Sequence, residues 1–185
     1  QKVVRFDYRR DGLQARGEAV AVPADFSTLS GNKGLECLAA APKDSPLAGK
    51  LIVVTELSLD AAGNLRAYAL DGKVARDVVD DRALRFSVKR IDDFEVSDCA
   101  VLPSGDLLLL ERRYSPARGV AIRIRRVSIA AIKEGALVDG AILIEADLAY
   151  QVDNMEGMAV HRNAAGETVI TLVSDDNFSV VQRNL

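Results

Sequence analysis

The chain has 185 residues, 49% hydrophobic and 28% charged, the make-up of a globular domain with a sizeable core rather than of a disordered segment. Its 24 basic and 27 acidic residues mix to a net charge of −3, without the basic stripe of a nucleic-acid binder, so no nucleic-acid partner is expected. No apolar run approaches the roughly 20 residues of a membrane-crossing helix, so no membrane span is expected either.

The partner expected from this balance is a small molecule, a cation or another protein. Two cysteines, Cys37 and Cys99, are too few for a disulfide scaffold or a structural zinc site. One histidine, His161, excludes a multi-histidine metal centre within the chain. The first residue is Gln1 and no charged-then-apolar leader follows. The expectation is a removed signal segment or a sequence that starts within a longer gene.

In chain order, residues 3–8 and 18–22, joined around Asp11-Gly12, predict a hairpin. A second hairpin follows, with residues 36–40, a turn over 42–49, and the apolar run 51–56 ending on Glu56. Residues 64–70 predict another strand, and Asp71-Gly72 after it is a hairpin turn signal. The pattern then recurs in residues 97–101, the turn Pro103-Ser104-Gly105, and the run 107–111 ending on Glu111. Residues 120–125 alternate with period two, which predicts a half-buried strand with Arg123 and Arg125 on its exposed face. A short helical turn over 129–134 and an outer strand over 141–148 complete that unit. The third occurrence is residues 156–160, a turn over 163–166, and the run 169–175 ending on Asp175. Residues 178–185 would enter the next strand.

The three hairpins start at Glu36, Ser97 and Glu156, at steps of 61 and 59 residues, a near-constant period that marks a structural repeat. Four antiparallel strands per unit, with a first hairpin apolar on both faces, predict an all-β fold of β-propeller-type blades. The expected organisation is one domain over residues 1–185 with repeats at 31–90, 91–150 and 151–185. Residues 1–30 would be the outer strands of a preceding blade. Three blades do not close a ring of four to eight. The expectation is therefore a partial ring of a longer chain, or a ring completed by a second copy in a homo-oligomer.

Antiparallel pairing brings the start of each first strand and the end of each second strand to one end of the blade. Glu36, Glu95, Asp98 and Glu156 fall at the starts, and Glu56, Glu111 and Asp175 at the ends. Asp176, Asn177, Asp153 and Asn154 add oxygen atoms at the same level. Crowded carboxylates raise one another's pKa unless a cation is present, and hard oxygen ligands without thiolate or imidazole suit calcium, or less well magnesium. For any single acid, capping backbone donors at a blade end is the plainer role. Arg112 and Arg113 follow Glu111 directly, and guanidinium groups suit bidentate phosphate binding, with a plain salt bridge as the other reading. No Gly-x-Ser-x-Gly elbow accompanies His161, which reads as a solvated turn residue. Gly31-Asn32-Lys33-Gly34 lacks the Lys-Ser/Thr and the helix of a phosphate loop.

Residues 32–39, 93–103, 111–115, 153–161 and 174–178 together resemble the bacterial family named for the esterase-like activity of phytase. The likeness runs from about Gly31 onward, with residues 1–30 matching loosely. It implies a propeller-like fold, phosphoesterase or phosphodiesterase chemistry on the repeated acids, and an exported, periplasmic or secreted protein. Members carry a further N-terminal region with its own acidic motifs, which these 185 residues do not include. Cys37 and Cys99 stand where the pattern has glycine or aliphatic residues. They read as small core fillers at equivalent positions on neighbouring strands, with a disulfide the less favoured reading.

The resulting assignment is a metal-assisted phosphoesterase. Glu36, Glu95, Asp98 and Glu156 are catalytic, and Arg112 and Arg113 hold the phosphate. Glu56, Glu111, Asp175, Asp176 and Asn177 bind calcium. The competing assignment is a non-catalytic binding module with a structural cation.

Overall fold

The computed structural model describes residues 1–29, 31, 33–74, 79 and 82–175. The fold is all-β, with only short helical turns between strands. Near the N-terminus β1 (Val4–Arg5) and β2 (Glu18–Ala19) pair antiparallel. The first large sheet takes β3 (Leu35–Ala40), β4 (Leu51–Leu59), β5 (Leu65–Leu70) and β6 (Leu84–Val88). The second takes β7 (Glu95–Val101), β8 (Leu107–Ser115) and β9 (Gly119–Val127), with β11 (Ala141–Asp147) outermost. Between them in sequence, β10 (Leu137–Val138) crosses back and pairs in parallel with β6, so the first sheet has five strands. The third sheet is the pair β12 (Met155–Arg162) and β13 (Thr168–Ser174). Among the described residues no helix is long and apolar enough to cross a membrane.

The local sequence explains the hairpins. Pro103-Ser104-Gly105 turns β7 into β8 with Gly105 at φ +96°, a conformation that glycine adopts without penalty. Asp71-Gly72 acts otherwise than its sequence predicts. The partner of β5 begins only at Leu84, because the chain first leaves the sheet and Val74 bridges to Val20. The short turn expected over 129–134 is a 3-10 turn at Ile129–Ala131.

The three sheets lie side by side through their first strands, β3 against β7 and β7 against β12. Each sheet therefore has a leading face toward the sheet before it and a trailing face toward the sheet after it. Between the first two sheets, Cys37, Ala39, Ile52 and Val54 of one trailing face meet Val96, Cys99, Leu107 and Leu109 of the next leading face. Between the second and third, Leu108 and Leu110 meet Met155, Met158 and Leu172. The N-terminal segment covers the leading face of the first sheet, with Val3, Val20, Val22, Phe26 and Leu29 on Val53, Tyr68 and Leu70. Leu107 to Leu110 are thus buried on both faces of their sheet, the reason their run is continuous rather than alternating. Truncating any of the four to alanine should cost about 2–5 kcal/mol.

Register fixes the repeat more sharply than spacing does. In each first hairpin the pairing slips by one residue at the same place. The slips fall between Leu35 and Cys37, between Val96 and Asp98, and between Met155 and Gly157. Glu36, Ser97 and Glu156 are the extra residues of three equivalent β-bulges, and bulges re-aim side chains at strand ends. Cys37 is then equivalent to Asp98 and Gly157, while Cys99 is equivalent to Leu38 and Met158.

That offset corrects the reading of the cysteines. They form a disulfide, with Cα atoms 5.0 Å apart, from the trailing face of the first sheet to the leading face of the second. They are successive, not equivalent, positions. Where the same positions meet between the second and third sheets, Asp98 Oδ2 accepts a hydrogen bond from the Met158 backbone N–H at 2.6 Å.

The face of β9 is a second correction. Arg123 and Arg125 are buried, because β11 lies outside β9 and the Arg125 side of the strand looks into the interior. Arg125 Nε donates to Glu111 Oε2 at 2.8 Å in a pair closed to solvent, and Asp139 approaches its other side at 3.5 Å. Arg123 binds Asp92 and Glu145, and its guanidinium carbon lies 4.0 Å from the centroid of Phe94.

Candidate functional site: an arginine among carboxylates at the strand ends

The first strands begin, and the second strands end, at one rim of the three sheets, as the antiparallel pairings require. Arg112 stands near its centre, opposite Glu95 in register. Its Nη2 donates to Glu56 Oε1 at 3.3 Å. Its Nε lies 3.1 Å from Glu156 Oε1 in an ion pair that lacks the alignment of a hydrogen bond. One guanidinium thus joins the second strand of the first sheet to the first strand of the third. Asn154 Nδ2 donates to the same Glu156 oxygen at 3.0 Å and fixes it from the other side.

Glu56 is buried, and desolvation pushes its carboxyl up from the ordinary value of 4.5. Arg112 and Lys33 oppose that shift, and Glu95 and Glu36 add to it. Glu36 is raised too, first by desolvation, then by the charge of Glu156, with Arg112 opposing and Asp98 adding. By surface area Glu36 is an exposed residue, so its carboxyl stands in a recess open to water, crowded rather than enclosed. Both therefore take up protons more readily than an isolated glutamate.

The other assigned residues divide. Glu95 opens β7 and accepts from Lys33 Nζ at 2.6 Å, beside the cluster. Asp98 uses both oxygens on backbone donors, its own neighbour Cys99 N–H at 2.7 Å and Met158 N–H, so it fastens sheets together. Glu111 does not join the rim but lies in the interior against Arg125, where burial raises its pKa and Arg125 opposes the rise. Arg113 also separates from Arg112, its guanidinium carbon 4.9 Å from the centroid of Phe94. Asp175 reaches the rim through its backbone, donating to Asn154 O at 2.9 Å and accepting from Asn154 Nδ2 at 3.3 Å. Asp176 and Asn177 lie outside the described residues. His161 is exposed on β12.

Sequence reasoning missed two participants. Lys33 was visible three residues before Glu36, but only as a failed phosphate loop. Ser97, the bulged residue of the second hairpin, donates through Oγ to Met155 O at 2.9 Å, and its signal was its alignment with Glu36 and Glu156.

Among the described residues no group of three His, Cys, Asp or Glu side chains is placed to hold a metal ion. Arg112 already occupies the space between Glu56 and Glu156 that a cation would take, so these residues by themselves do not fit a resident calcium.

Neither the curated proteins nor the solved structures contain a match to this chain. A family model described as phytase-like, esterase-like activity of phytase, matches residues 1–178, so the likeness includes the N-terminal segment that packs on the first sheet. The chain belongs to that phytase-like family.

Proposed function

We propose that the chain is a phosphoester hydrolase whose working groups are Arg112, Glu36, Glu56 and Glu156. The observation that carries this is one guanidinium held between two carboxylates, with Glu36 and Glu56 beside it displaced toward the protonated form. Arg112 retains donors to receive phosphate oxygens and to offset the charge that grows on them during displacement. Glu156, oriented by Arg112 and Asn154, takes the proton of the attacking water. Glu36, exposed and raised, gives its proton to the leaving alkoxide oxygen as the P–O bond breaks. Calcium enters this proposal only with the substrate, held by its phosphate oxygens, because Arg112 fills the space between Glu56 and Glu156.

The side-by-side sheets support reading each as a propeller blade, with the rim as the mouth of the central channel. The Cys37–Cys99 disulfide supports an oxidising compartment, such as the periplasm or the exterior. One observation favours a second reading. Asp98, placed among the catalytic acids by its sequence, is wholly engaged with backbone donors, as in a non-catalytic binding module whose acids serve structure.

Turnover of p-nitrophenyl phosphate and bis-p-nitrophenyl phosphate, with calcium added or chelated, separates the two. The hydrolytic reading expects turnover that falls at least tenfold in Glu36→Gln and in Arg112→Lys while the fold stays intact. Wild-type protein inert toward both compounds in either condition overturns it.

A further inference from the structure

Glu156 stands where its own strand restrains it least. It is the extra residue of the third bulge, without a register partner in β13, and Gly157 follows it. A bulge leaves its extra residue out of the ladder, and glycine adds backbone freedom that other residues lack. A proton acceptor at such a place needs restraint from elsewhere, because a small misplacement of a reacting group costs much of the rate.

The restraint comes from the second bulge. Ser97 Oγ donates to Met155 O at 2.9 Å, and that carbonyl belongs to the peptide unit that carries the Glu156 N–H. Asp98 Oδ2 accepts from the Met158 N–H at 2.6 Å, in the peptide unit that follows Gly157. The two bonds therefore bracket Glu156 and Gly157. Both gripping residues are themselves fixed, since Ser97 is buried and Asp98 Oδ1 accepts from the Cys99 N–H at 2.7 Å. Met155 and Met158 are buried against Leu108 and Leu110, which keeps β12 seated on the second sheet. At the equivalent place between the first two sheets stands the Cys37–Cys99 disulfide. Each junction is thus locked directly beneath the rim, by a covalent bond in one case and by Asp98 in the other. The side chain is held in its turn, with Asn154 Nδ2 and Arg112 Nε at 3.0 and 3.1 Å from Glu156 Oε1.

We propose that Ser97 and Asp98 are positioning residues, which hold Glu156 against Arg112 by gripping the β12 backbone on either side of it. The assignment rests on the hydrolytic reading, and it gives a role within that reading to the one carboxylate that favoured the binding module. Both Asp98 oxygens hold backbone donors, and its effect on the reaction passes through Glu156. Ser97 acts in the same way from the other side, with its hydroxyl spent on the Met155 carbonyl.

Steady-state kinetics on p-nitrophenyl phosphate and bis-p-nitrophenyl phosphate test it. The variants are Asp98→Ala, Asp98→Asn, Ser97→Ala, Glu156→Gln and the Asp98→Ala/Glu156→Gln pair. Far-UV circular dichroism checks each fold, and Ser97→Ala, which removes only a hydroxyl, carries the test should Asp98→Ala fail to fold. The expected result is a kcat lower by about tenfold or more in Asp98→Ala and in Ser97→Ala, with KM within about twofold of wild type. Asp98→Asn should keep kcat within about threefold, because its amide oxygen still accepts the Met158 N–H. Beside Glu156→Gln, the change Asp98→Ala should alter kcat by less than about twofold, since the group it positions is already gone. Asp98→Asn as slow as Asp98→Ala overturns the assignment, because the carboxylate would then act itself. So does a folded Asp98→Ala or Ser97→Ala with the kcat of wild type, or an Asp98→Ala cost that persists in full beside Glu156→Gln. Wild type inert toward both compounds overturns the hydrolytic reading itself, and the assignment falls with it.

Discussion

Reducing the Cys37–Cys99 bond should cost the fold more than any single side chain at the rim. The bond spans 62 residues, and a cross-link of that span removes loop freedom from the unfolded chain worth roughly 4 kcal/mol at room temperature. Both sulfurs belong to the core between the first two sheets, so the native state gains nothing by releasing them. With a urea slope of about 2 kcal/mol per molar, the unfolding midpoint should fall by about 2 M on reduction. Equilibrium urea unfolding followed by far-UV circular dichroism, with and without dithiothreitol, measures the shift. The Cys37→Ala/Cys99→Ala double variant supplies the control, because reductant should leave its midpoint unmoved. Coincident midpoints for oxidised and reduced wild type would refute the reasoning. Two titratable thiols in the native oxidised protein would refute it more directly.

The buried pair Glu111–Arg125 should behave as an interior ion pair and not as part of the rim. Arg125→Met leaves the Glu111 carboxylate buried without its guanidinium and should cost about 3–5 kcal/mol in urea unfolding, whereas adding Glu111→Leu should recover much of that loss. Additive costs for the two changes would contradict the pairing. Glu56 sets a pH dependence. Its folded pKa is raised, so its contribution to stability is complete below the unfolded carboxyl value and is lost as pH rises through the folded one. Relative to wild type, Glu56→Gln should therefore gain stability as pH is taken upward from 4.5, and a stability difference flat with pH would exclude the effect.

The inner hairpins were legible because both their signals are local. Residues 51–54 and 107–110 are apolar throughout, and Pro and Gly mark the turns between strands. What failed was set by neighbours distant in sequence. Asp71-Gly72 carries the chemistry of a tight turn, yet Val20 draws the following backbone away from β5. β10 has two residues, too few for any periodicity, and exists because Ser87 and Val88 offer it an edge. Arg123 and Arg125 alternate as a surface strand would, and only the acids facing them, with β11 outside, show that the charged side is inside. At the rim, the convergence of Glu36, Glu56, Glu156 and Arg112 could be read from strand direction. The diversion of Glu111 could not, since it depends on Arg125 arriving from β9 on the same face.

The bulges connect the fold to the rim. At each first strand the pairing slips by one residue, and in the first two sheets the next residue fastens its sheet to the following one. Cys37 does so with a disulfide and Asp98 with a hydrogen bond to Met158. The bulged residue itself is turned out of the ladder. In the second sheet Ser97 spends its hydroxyl on Met155 O, which leaves the glutamates of the first and third sheets facing the guanidinium from the second. Removing Arg112 would leave Glu36, Glu56 and Glu156 to repel one another. An incoming phosphate must share that guanidinium with Glu56 and Glu156, so on the hydrolytic reading its binding frees carboxylate charge. Glu36 and Glu56, both displaced toward the protonated form, are the groups able to take up the compensating proton. Substrate binding and proton uptake are then one event, and the proton taken up by Glu36 is the one the leaving oxygen requires.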